Sequence, residues 1–165
     1  MTLAYIIMGV SGCGKTAVGT TLATHLNAPF YDADDYHPPA NIAKMSAGIP
    51  LTDQDRLPWL HQLHTLLAQH IVKGETAVLA CSALKQNYRQ ILRAHQTHQT
   101  HFVYLHGSFD LIWQRLTTRQ NHYMKADMLH SQFATLEPPT PTEAQLIPIT
   151  LPINQIVAQI ISNTT

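Results

Sequence analysis

The residues best suited to chemistry lie in one short loop, GVSGCGKT, at residues 9–16. Their spacing matches GxxxxGK[ST], in which backbone amides, a lysine and a helix N-terminus together surround a polyphosphate. An apolar stretch precedes the loop and a helical pattern follows it, which distinguishes this motif from a chance glycine turn. We call residues 9–16 the phosphate loop. The predicted nucleotide contacts come from Gly9, Ser11, Gly12, Cys13, Gly14, Lys15, Thr16 and Ala17.

Two side chains of the phosphate loop have defined roles in this motif. The lysine, here Lys15, reaches the β and γ phosphates as a point charge, so we predict that it is catalytic. The hydroxyl of Thr16 is placed to coordinate Mg²⁺. The loop therefore predicts a protein that binds a nucleoside triphosphate together with Mg²⁺.

An acidic cluster, DADD at residues 32–35, is the best source of the carboxylates that phosphoryl transfer requires. The third and fourth apolar stretches end in CS and HG rather than in an aspartate, and no guanine-reading NKxD occurs. Asp32 and Asp34 are two residues apart, so in an extended segment both carboxylates point to the same side. One of these carboxylates can serve the metal and the other the acceptor. A turn or a helix cap is the alternative, and it is favoured for Asp35.

Cationic side chains occur in three segments that could surround a small acceptor: DDYHPPANIAK from residue 34, DQDRLPW from 53 and CSALKQNYRQILR from 81. In an open α/β sheet, ligands bind beyond the carboxyl ends of the strands, where the first and third segments emerge. The planar guanidinium groups of Arg56 and Arg89 match a carboxylate, which predicts an acidic acceptor. His37 and Lys44 complete the predicted acceptor site. A solvated basic helix face is the alternative, and for Arg93 it is the preferred one.

A second basic cluster follows the fourth apolar stretch. Arg115 and Arg119 are four residues apart, and His122 and Lys125 come next. This pattern predicts a helical lid at about 119–139 that excludes water and stabilises charge on the transferring phosphoryl group. We expect Arg115 and Arg119 to contact the nucleotide and Arg119 to be catalytic, with an exposed helix face as the alternative.

Apolar stretches and helical patterns alternate along the chain, which predicts parallel strands covered by helices on both faces. The predicted strands are 3–8, 29–32, 76–81, 101–106 and 146–151. The predicted helices are 17–26, one that contains Pro58 and ends at Gly74, 83–94, 109–119, 122–136 and 153–162. Residues 34–55 show little periodicity. We therefore predict one α/β domain over residues 1–165, with a five-stranded sheet and the three-layer architecture of P-loop NTPases.

The composition excludes several classes of function. Ten basic residues balance ten acidic ones, so no global basic field attracts nucleic acid or an anionic membrane. No stretch approaches the roughly 18 apolar residues of a membrane span, and no basic leader precedes the first apolar stretch. Two cysteines are too few for a disulfide framework, which favours reduced thiols and a cytoplasmic protein. The 11 histidines occur without HExxH, so we expect solvated or hydrogen-bonded rings rather than a metal site.

Four blocks carry a resemblance to a known family. They are GVSGCGKT, DADDYHPPANIAKMSAGIPLTDQDRLPWL, CSALKQNYRQILR and RLTTRQNHYMKADMLHSQFATLEPP. In this order they resemble the gluconokinases of the shikimate-kinase-like P-loop group, from about Ile6 to Pro139. The resemblance implies ATP-dependent phosphorylation of D-gluconate to 6-phosphogluconate, a homodimer and the sheet order 2-3-1-4-5.

The resemblance also implies roles for individual residues. Lys15 and Thr16 correspond to positions that serve ATP and Mg²⁺, and Asp32 and Asp34 to positions that serve the metal and the acceptor hydroxyl. Gluconate contacts are implied at His37, Arg56 and Arg89, and contacts from the closing lid at Arg115 and Arg119. The alternatives are a kinase for another small hydroxy acid, such as shikimate, and a non-catalytic nucleotide-binding module. The second alternative would show a broken phosphate loop or lack the acidic pair, and this chain has both features.

Overall fold

Five parallel strands form one sheet at the centre of the molecule. The structure is a computed structural model that describes residues 4–96, 98–118 and 126–164. The strands are β1 (Ala4–Met8), β2 (Phe30–Asp32), β3 (Ala77–Ala80), β4 (Thr100–His106) and β5 (Ala144–Pro148). They lie in the order β2-β3-β1-β4-β5, and each neighbouring pair is parallel. The predicted parallel sheet and the strand order implied by the family resemblance are both confirmed.

Helices cover both faces of this sheet. They are α1 (Lys15–Leu26), α2 (Pro39–Ser46), α3 (Asp53–Val72), α4 (Gln86–Arg93), α5 (Phe109–Thr118), α6 (Ala126–Thr135) and α7 (Ile153–Ser162). Buried residues of α3 and α4 pack on one face, and those of α1, α5, α6 and α7 pack on the other. The strands β1 and β3 are therefore buried along their whole length. This explains why they are continuous apolar stretches rather than alternating ones.

The side chains of β1 alternate between two hydrophobic cores. Ile6 points into the core beneath α3 and α4, with Leu63 and Phe102. Ile7 points into the core beneath α1 and α5, with Leu22. All of these side chains are at most 1% exposed. Because both faces are packed, the sheet is a firm base for the loops that leave its carboxyl edge.

The segment 34–55 contains more regular structure than its weak periodicity predicted. A 3₁₀ turn spans Ala33–Tyr36, α2 follows, and α3 begins at Asp53, well before Pro58. The helix α2 has no buried apolar stripe, because its only buried residue is the polar Asn41 and its apolar residues Ile42 and Met45 are exposed. A short helix on the surface cannot be recognised from apolar spacing, although Pro39 at its first position is a helix-start signal.

Several predicted boundaries differ from the structure, and the largest differences occur at three elements. The last strand was predicted at 146–151 but lies at Ala144–Pro148, because its pairing with β4 ends there, while Ile149 is buried without being part of the strand. The helix predicted from residue 83 begins at Gln86, since Ala83 has a φ of 46°. The helix predicted at 122–136 is described from Ala126, and its predicted first turn lies outside the described residues.

The parallel strands bring five loops to one edge of the sheet. The phosphate loop follows β1, the acidic cluster follows β2 and the CSALK segment follows β3. These three strands are neighbours in the sheet, so the segments that follow them lie side by side. Over the residues that the structure describes, no helix has the length and apolar character needed to cross a bilayer.

Candidate active site

Three glycines of the phosphate loop, Gly9, Gly12 and Gly14, have positive φ. Gly9 has a φ of 143° and Gly14 a φ of 102°, conformations that side chains other than glycine rarely adopt. A Cβ on Gly9 would lie 2.7 Å from Cys13 Sγ and 2.8 Å from Leu105 O. Gly14 is the N-cap of α1 and has no side chain that could accept the amides of the first turn. These amides have no intrahelical acceptor, so they form a place for an anion at the positive end of the helix.

Lys15 lies against the phosphate loop. Its Nζ donates to the carbonyl oxygens of Gly9 and Val10, at 3.0 Å each. No carboxylate lies within ion-pair distance of Lys15 in residues 4–96, 98–118 and 126–164. Among these residues its ammonium group therefore donates to neutral acceptors only. An incoming phosphate can replace them and form a stronger, charge-assisted hydrogen bond.

The acidic pair does not have the extended geometry that the two-residue spacing suggested. Asp32 ends β2, and its Oδ1 accepts from the backbone amide of Asp34 at 3.0 Å, capping the 3₁₀ turn. The expectation that both carboxylates point the same way along a strand is therefore wrong, because the chain turns directly after Asp32. The turn still holds the two carboxylates close together, close enough for the charge of Asp32 to affect the titration of Asp34.

Asp34 has an unusual electrostatic environment. Although it is open to solvent, the protein atoms around it desolvate the carboxyl and raise its pKa, and the charge of Asp32 raises it further. His37 and Lys15 act in the opposite direction. A carboxylate whose pKa is raised towards neutrality is a better proton acceptor than an ordinary aspartate, which suits a group that receives the proton of an alcohol.

Cys81 shows how closely these groups approach one another. It is buried at the end of β3, and burial raises the pKa of its thiol to about 12. The charges of Lys15, Asp34 and Asp32 all act on this thiol. The phosphate loop and the acidic turn thus lie on either side of the carboxyl end of β3, as the strand order requires.

His37 lies on a platform of aromatic and amide groups. Its ring stacks on Trp59 with centroids 4.2 Å apart, and its Nδ1 is 3.3 Å from Nδ2 of Asn41. Trp59 is itself fixed, because its Nε1 donates to Ala33 O at 2.7 Å. Desolvation by burial lowers the pKa of His37, so the ring is neutral at pH 7. His37 therefore presents an oriented neutral imidazole beside the acidic turn.

Lys44 forms an ion pair that ties α2 to α3. Its Nζ donates to Asp55 Oδ2 at 2.8 Å, and Asp55 also forms a reciprocal capping box with Thr52. These contacts, the Lys44 hydrogen bond first, lower the pKa of Asp55 to about 2. Asn41 reaches the same helix end and donates to Asp55 O at 3.0 Å. Lys44 was predicted to bind the acceptor. An acceptor would have to compete with Asp55, which already binds the Lys44 ammonium.

The low pKa of Asp55 predicts a specific loss of stability in acid. Because the folded-state pKa lies below the ordinary value of 3.8, the charged carboxylate stabilises the fold above about pH 4, and this contribution disappears as the pH falls towards about 2. Thermal unfolding between pH 6 and 2 should show a smaller acid-induced decrease in Tm for Asp55→Asn than for the original protein. Parallel profiles for the two proteins would contradict this assignment.

Arg56 is held by a chain of polar contacts that sequence reasoning missed. Its Nη1 donates to the hydroxyl of Tyr88 at 3.0 Å, and that hydroxyl donates to Asp53. Asp53 also accepts from Lys85 Nζ at 3.0 Å. Among residues 4–96, 98–118 and 126–164 the contact with Tyr88 is the one hydrogen bond of the Arg56 guanidinium, which therefore retains donors for an acidic ligand. Asp53 and Tyr88 lie in the quoted DQDR and NYR segments, but no spacing rule joins two segments 35 residues apart.

Arg89 was predicted to bind the acceptor, but the geometry gives it other partners. Its side chain is 1% exposed, and its Nε donates to Glu143 Oε1 at 2.6 Å. Its two remaining nitrogens donate to Ala83 O at 2.8 Å and Glu137 O at 2.9 Å. All three nitrogens of this guanidinium already donate hydrogen bonds within the protein, so no pair of N–H groups is left to bind a carboxylate. The structure therefore supports a packing role for Arg89.

The other basic residues have mixed outcomes. Arg93 is not a solvated residue, because its guanidinium lies 4.9 Å from the ring centroid of Phe102. Arg115 is half-buried in α5 and donates from Nη2 to Ile149 O at 2.8 Å. Arg119, predicted to be catalytic, lies outside the described residues, as do residues 119–125 of the predicted lid. Of that predicted lid, the structure describes α6 and the segment after it.

Comparisons with known proteins agree with this arrangement. The sequence model of the shikimate kinase family matches residues 11–161. A probable gluconokinase of Mus musculus is 46% identical over 154 residues, which cover 84% of this chain and 84% of the relative. The thermosensitive gluconokinase of Escherichia coli (strain K12) is 45% identical over 156 residues, covering 94% of this chain and 82% of that one. The crystal structure of a gluconokinase from Sinorhizobium meliloti 1021 has a TM-score of 0.88 and 39% identity, covering 98% of this chain and 91% of that one.

Proposed function

Because this chain belongs to the gluconokinase family, we propose that it transfers the γ-phosphoryl group of ATP to D-gluconate, forming ADP and 6-phospho-D-gluconate. One observation carries this proposal: the phosphate loop with Lys15 and the turn with Asp34 lie at the carboxyl ends of β1 and β2, on either side of β3, close enough for Lys15 to affect the pKa of Asp34. A phosphate donor and a hydroxyl acceptor bound at these two groups would be neighbours, as in-line transfer requires.

Backbone amides and one cationic side chain form the part of the site that we propose for the nucleotide. We propose that the amides at the start of α1 and the ammonium of Lys15 bind the polyphosphate. Thr16 and Asp32 supply the hydroxyl and carboxylate oxygens that Mg²⁺ prefers, and we propose them as its ligands. Bound Mg²⁺ would offset negative charge on the phosphate oxygens. We keep Arg115 and Arg119 as proposed donors to the nucleotide, with Arg119 outside the described residues.

The acceptor side is built from Asp34, His37 and Arg56. We propose that Asp34 orients the acceptor hydroxyl and receives its proton late in the transfer, because the transition state is largely dissociative. The neutral ring of His37 can exchange hydrogen bonds with a sugar-acid hydroxyl. Arg56 binds the carboxylate, and its contact with Tyr88 orients it before the acceptor arrives. Lys44 remains a proposed further contact.

An acceptor panel tests the proposed function. ADP release is measured in a coupled assay with ATP and Mg²⁺, using D-gluconate, its epimers, shikimate and water as acceptors. We expect D-gluconate to give the highest kcat/KM, and product analysis should place the phosphate on the 6-hydroxyl. A higher kcat/KM for shikimate would favour the second candidate, which is suggested by the match to the shikimate kinase family model.

Replacement of Arg56 tests the carboxylate contact. Arg56→Lys keeps the charge but loses the planar fork, so the KM for gluconate should rise about tenfold while the KM for ATP changes little. Arg93→Lys is the matched control, because Arg93 packs on Phe102 outside the proposed site. Initial rates over both substrates give the four constants.

The variant Arg89→Lys tests whether Arg89, the second arginine predicted to bind the acceptor, has a packing role or a binding role. Because Arg89 is buried and paired with Glu143, this variant should lower Tm and leave the gluconate KM of the remaining folded enzyme nearly unchanged. A raised gluconate KM with a normal Tm would return Arg89 to the binding site. An unchanged gluconate KM in Arg56→Lys would place the carboxylate elsewhere, with His37 and Lys44 next to be tested.

We also propose that the protein is a cytoplasmic homodimer, as the family resemblance implies. The balanced charge and the absence of an apolar span in the described part of the chain are compatible with this proposal. Light scattering coupled to gel filtration measures the mass in solution. A mass that stays near the 18.4 kDa of one chain at micromolar concentration would contradict the dimer.

A further inference from the structure

The helix α6 contacts the phosphate loop through one side chain, Gln132. The backbone amide of Ser11 donates to Gln132 Oε1 at 2.7 Å, and Gln132 Nε2 donates to Ser11 Oγ at 2.9 Å. Within residues 4–96, 98–118 and 126–164, these are the only hydrogen bonds between α6 and the phosphate loop. The two residues are 121 positions apart, so the contact depends entirely on the tertiary structure.

Within the phosphate loop, Gln132 forms its hydrogen bonds with the amide and the hydroxyl of Ser11 alone. The amides at the start of α1, after the N-cap Gly14, are not part of the contact. These later amides are the ones that the helix N-terminus offers to an anion. Gln132 thus occupies the amide and the hydroxyl of Ser11, which was predicted to contact the nucleotide, and a polyphosphate can bind the later amides at the same time.

The position of α6 does not depend on Gln132. Leu129 is fully buried in the core, and His130 stacks on Phe109 with centroids 4.0 Å apart. Directly after the helix, Glu137 accepts from the amide of Gln86 at 2.9 Å, and its own amide donates to Leu84 O at 2.8 Å. With α6 already anchored by these contacts, the two Gln132 hydrogen bonds act chiefly to hold Ser11 in the phosphate loop.

We propose that Gln132 is a positioning residue for nucleotide binding, which holds Ser11 and thereby keeps the phosphate loop in the conformation that receives the polyphosphate. Two hydrogen bonds restrict a segment that lies between Gly9 and Gly12, both of which have positive φ. Without them, this segment would have more conformations to lose when the nucleotide binds. The inference rests on the proposed function only in assuming that the loop binds a nucleoside triphosphate.

Calorimetric titration of ADP and of a non-hydrolysable ATP analogue with Mg²⁺, without any acceptor, tests this role. Gln132→Leu removes both contacts at similar size, and the Kd for both nucleotides should rise about tenfold. Gln145→Leu is the matched control, because Gln145 also makes two amide hydrogen bonds, to His101 and Gln159, near the amino end of the edge strand β5. It should lose similar stability without any change in Kd.

A double-mutant cycle with Ser11→Ala ties the effect to this pair. Ser11→Ala removes the Oγ acceptor, so its effect on Kd should be smaller than that of Gln132→Leu, and the double variant should bind like Gln132→Leu alone. In steady-state assays, Gln132→Leu should raise the KM for ATP and leave the KM for gluconate unchanged. If Gln132→Leu does not fold, Gln132→Glu is used, which keeps an acceptor for the Ser11 amide and loses the donor to Ser11 Oγ.

Three results would overturn the inference. An unchanged Kd in Gln132→Leu would show that the contact is only structural, and a lower Kd would show that it competes with the nucleotide. Additive effects in the double-mutant cycle would likewise separate Gln132 from Ser11. Because no acceptor is present, these results are independent of the acceptor panel. A protein that binds ATP as expected but fails to phosphorylate gluconate would contradict the proposed function alone.

Discussion

Lys15→Met is expected to slow phosphoryl transfer to gluconate about 10³-fold while the protein remains folded. Methionine keeps the length of the side chain but removes the charge that we propose contacts the β and γ phosphates. The fold should survive, because within the described part of the chain the Lys15 ammonium hydrogen-bonds only to two neutral carbonyls, those of Gly9 and Val10. The measurement is kcat and kcat/KM from coupled ADP release, together with far-UV circular dichroism.

Lys73→Met is the matched control for this experiment. Lys73 is an exposed lysine at the C-terminal end of α3, remote from the phosphate loop in the chain. It should keep nearly full activity. If Lys15→Met itself retains more than about a third of the original turnover with a native spectrum, Lys15 is not part of the catalytic machinery.

Asp34→Asn is expected to lower kcat by a factor of about 10² to 10⁴ while the affinity for ATP stays close to the original. Asparagine keeps the size and one acceptor oxygen but cannot receive a proton from the acceptor hydroxyl. Asp35→Asn is the matched control, because Asp35 is an exposed aspartate in the same 3₁₀ turn and has no assigned role. Near-normal kcat in Asp34→Asn would show that the hydroxyl is activated elsewhere.

The pH profile distinguishes this role from a structural one. Desolvation and the charge of Asp32 raise the pKa of Asp34, so kcat of the original enzyme should fall when the pH drops through that raised value and the carboxylate becomes protonated. In Asp34→Asn this acid limb should disappear.

Asp32→Asn should instead be partly rescued by higher Mg²⁺. Rescue of Asp34→Asn by Mg²⁺ alone would mean that the two roles are exchanged.

The phosphate loop and the layered architecture could be predicted from the sequence, because both depend on local information. The loop's chemistry comes from contiguous residues, since positive φ at Gly9 and Gly14 and the start of α1 follow directly from glycine placement and spacing. The strands could be recognised because a strand buried on both faces must be apolar throughout, as β1 and β3 are. The sequence predictions were wrong at the ends of elements and missed α2, because in these places no buried apolar pattern indicates the structure.

The roles of individual polar side chains were decided only by the tertiary structure. Arg56 and Arg89 are the same residue type in similar basic segments, yet one retains donors at the site and the other is consumed by Glu143 and two carbonyls. Their difference arises from partners 32 and 54 residues away.

The same reason explains the acidic turn and the contact between α6 and the phosphate loop. The local spacing of Asp32 and Asp34 showed that two carboxylates were available, but the turn after β2 set their arrangement. Gln132 carried no signal in the sequence, because an isolated glutamine matches no motif, and its partner Ser11 is 121 positions away. Hydrogen bonding is directional and short-ranged, so such pairs are determined only when the packed sheet and helices bring distant segments within about 3 Å of each other.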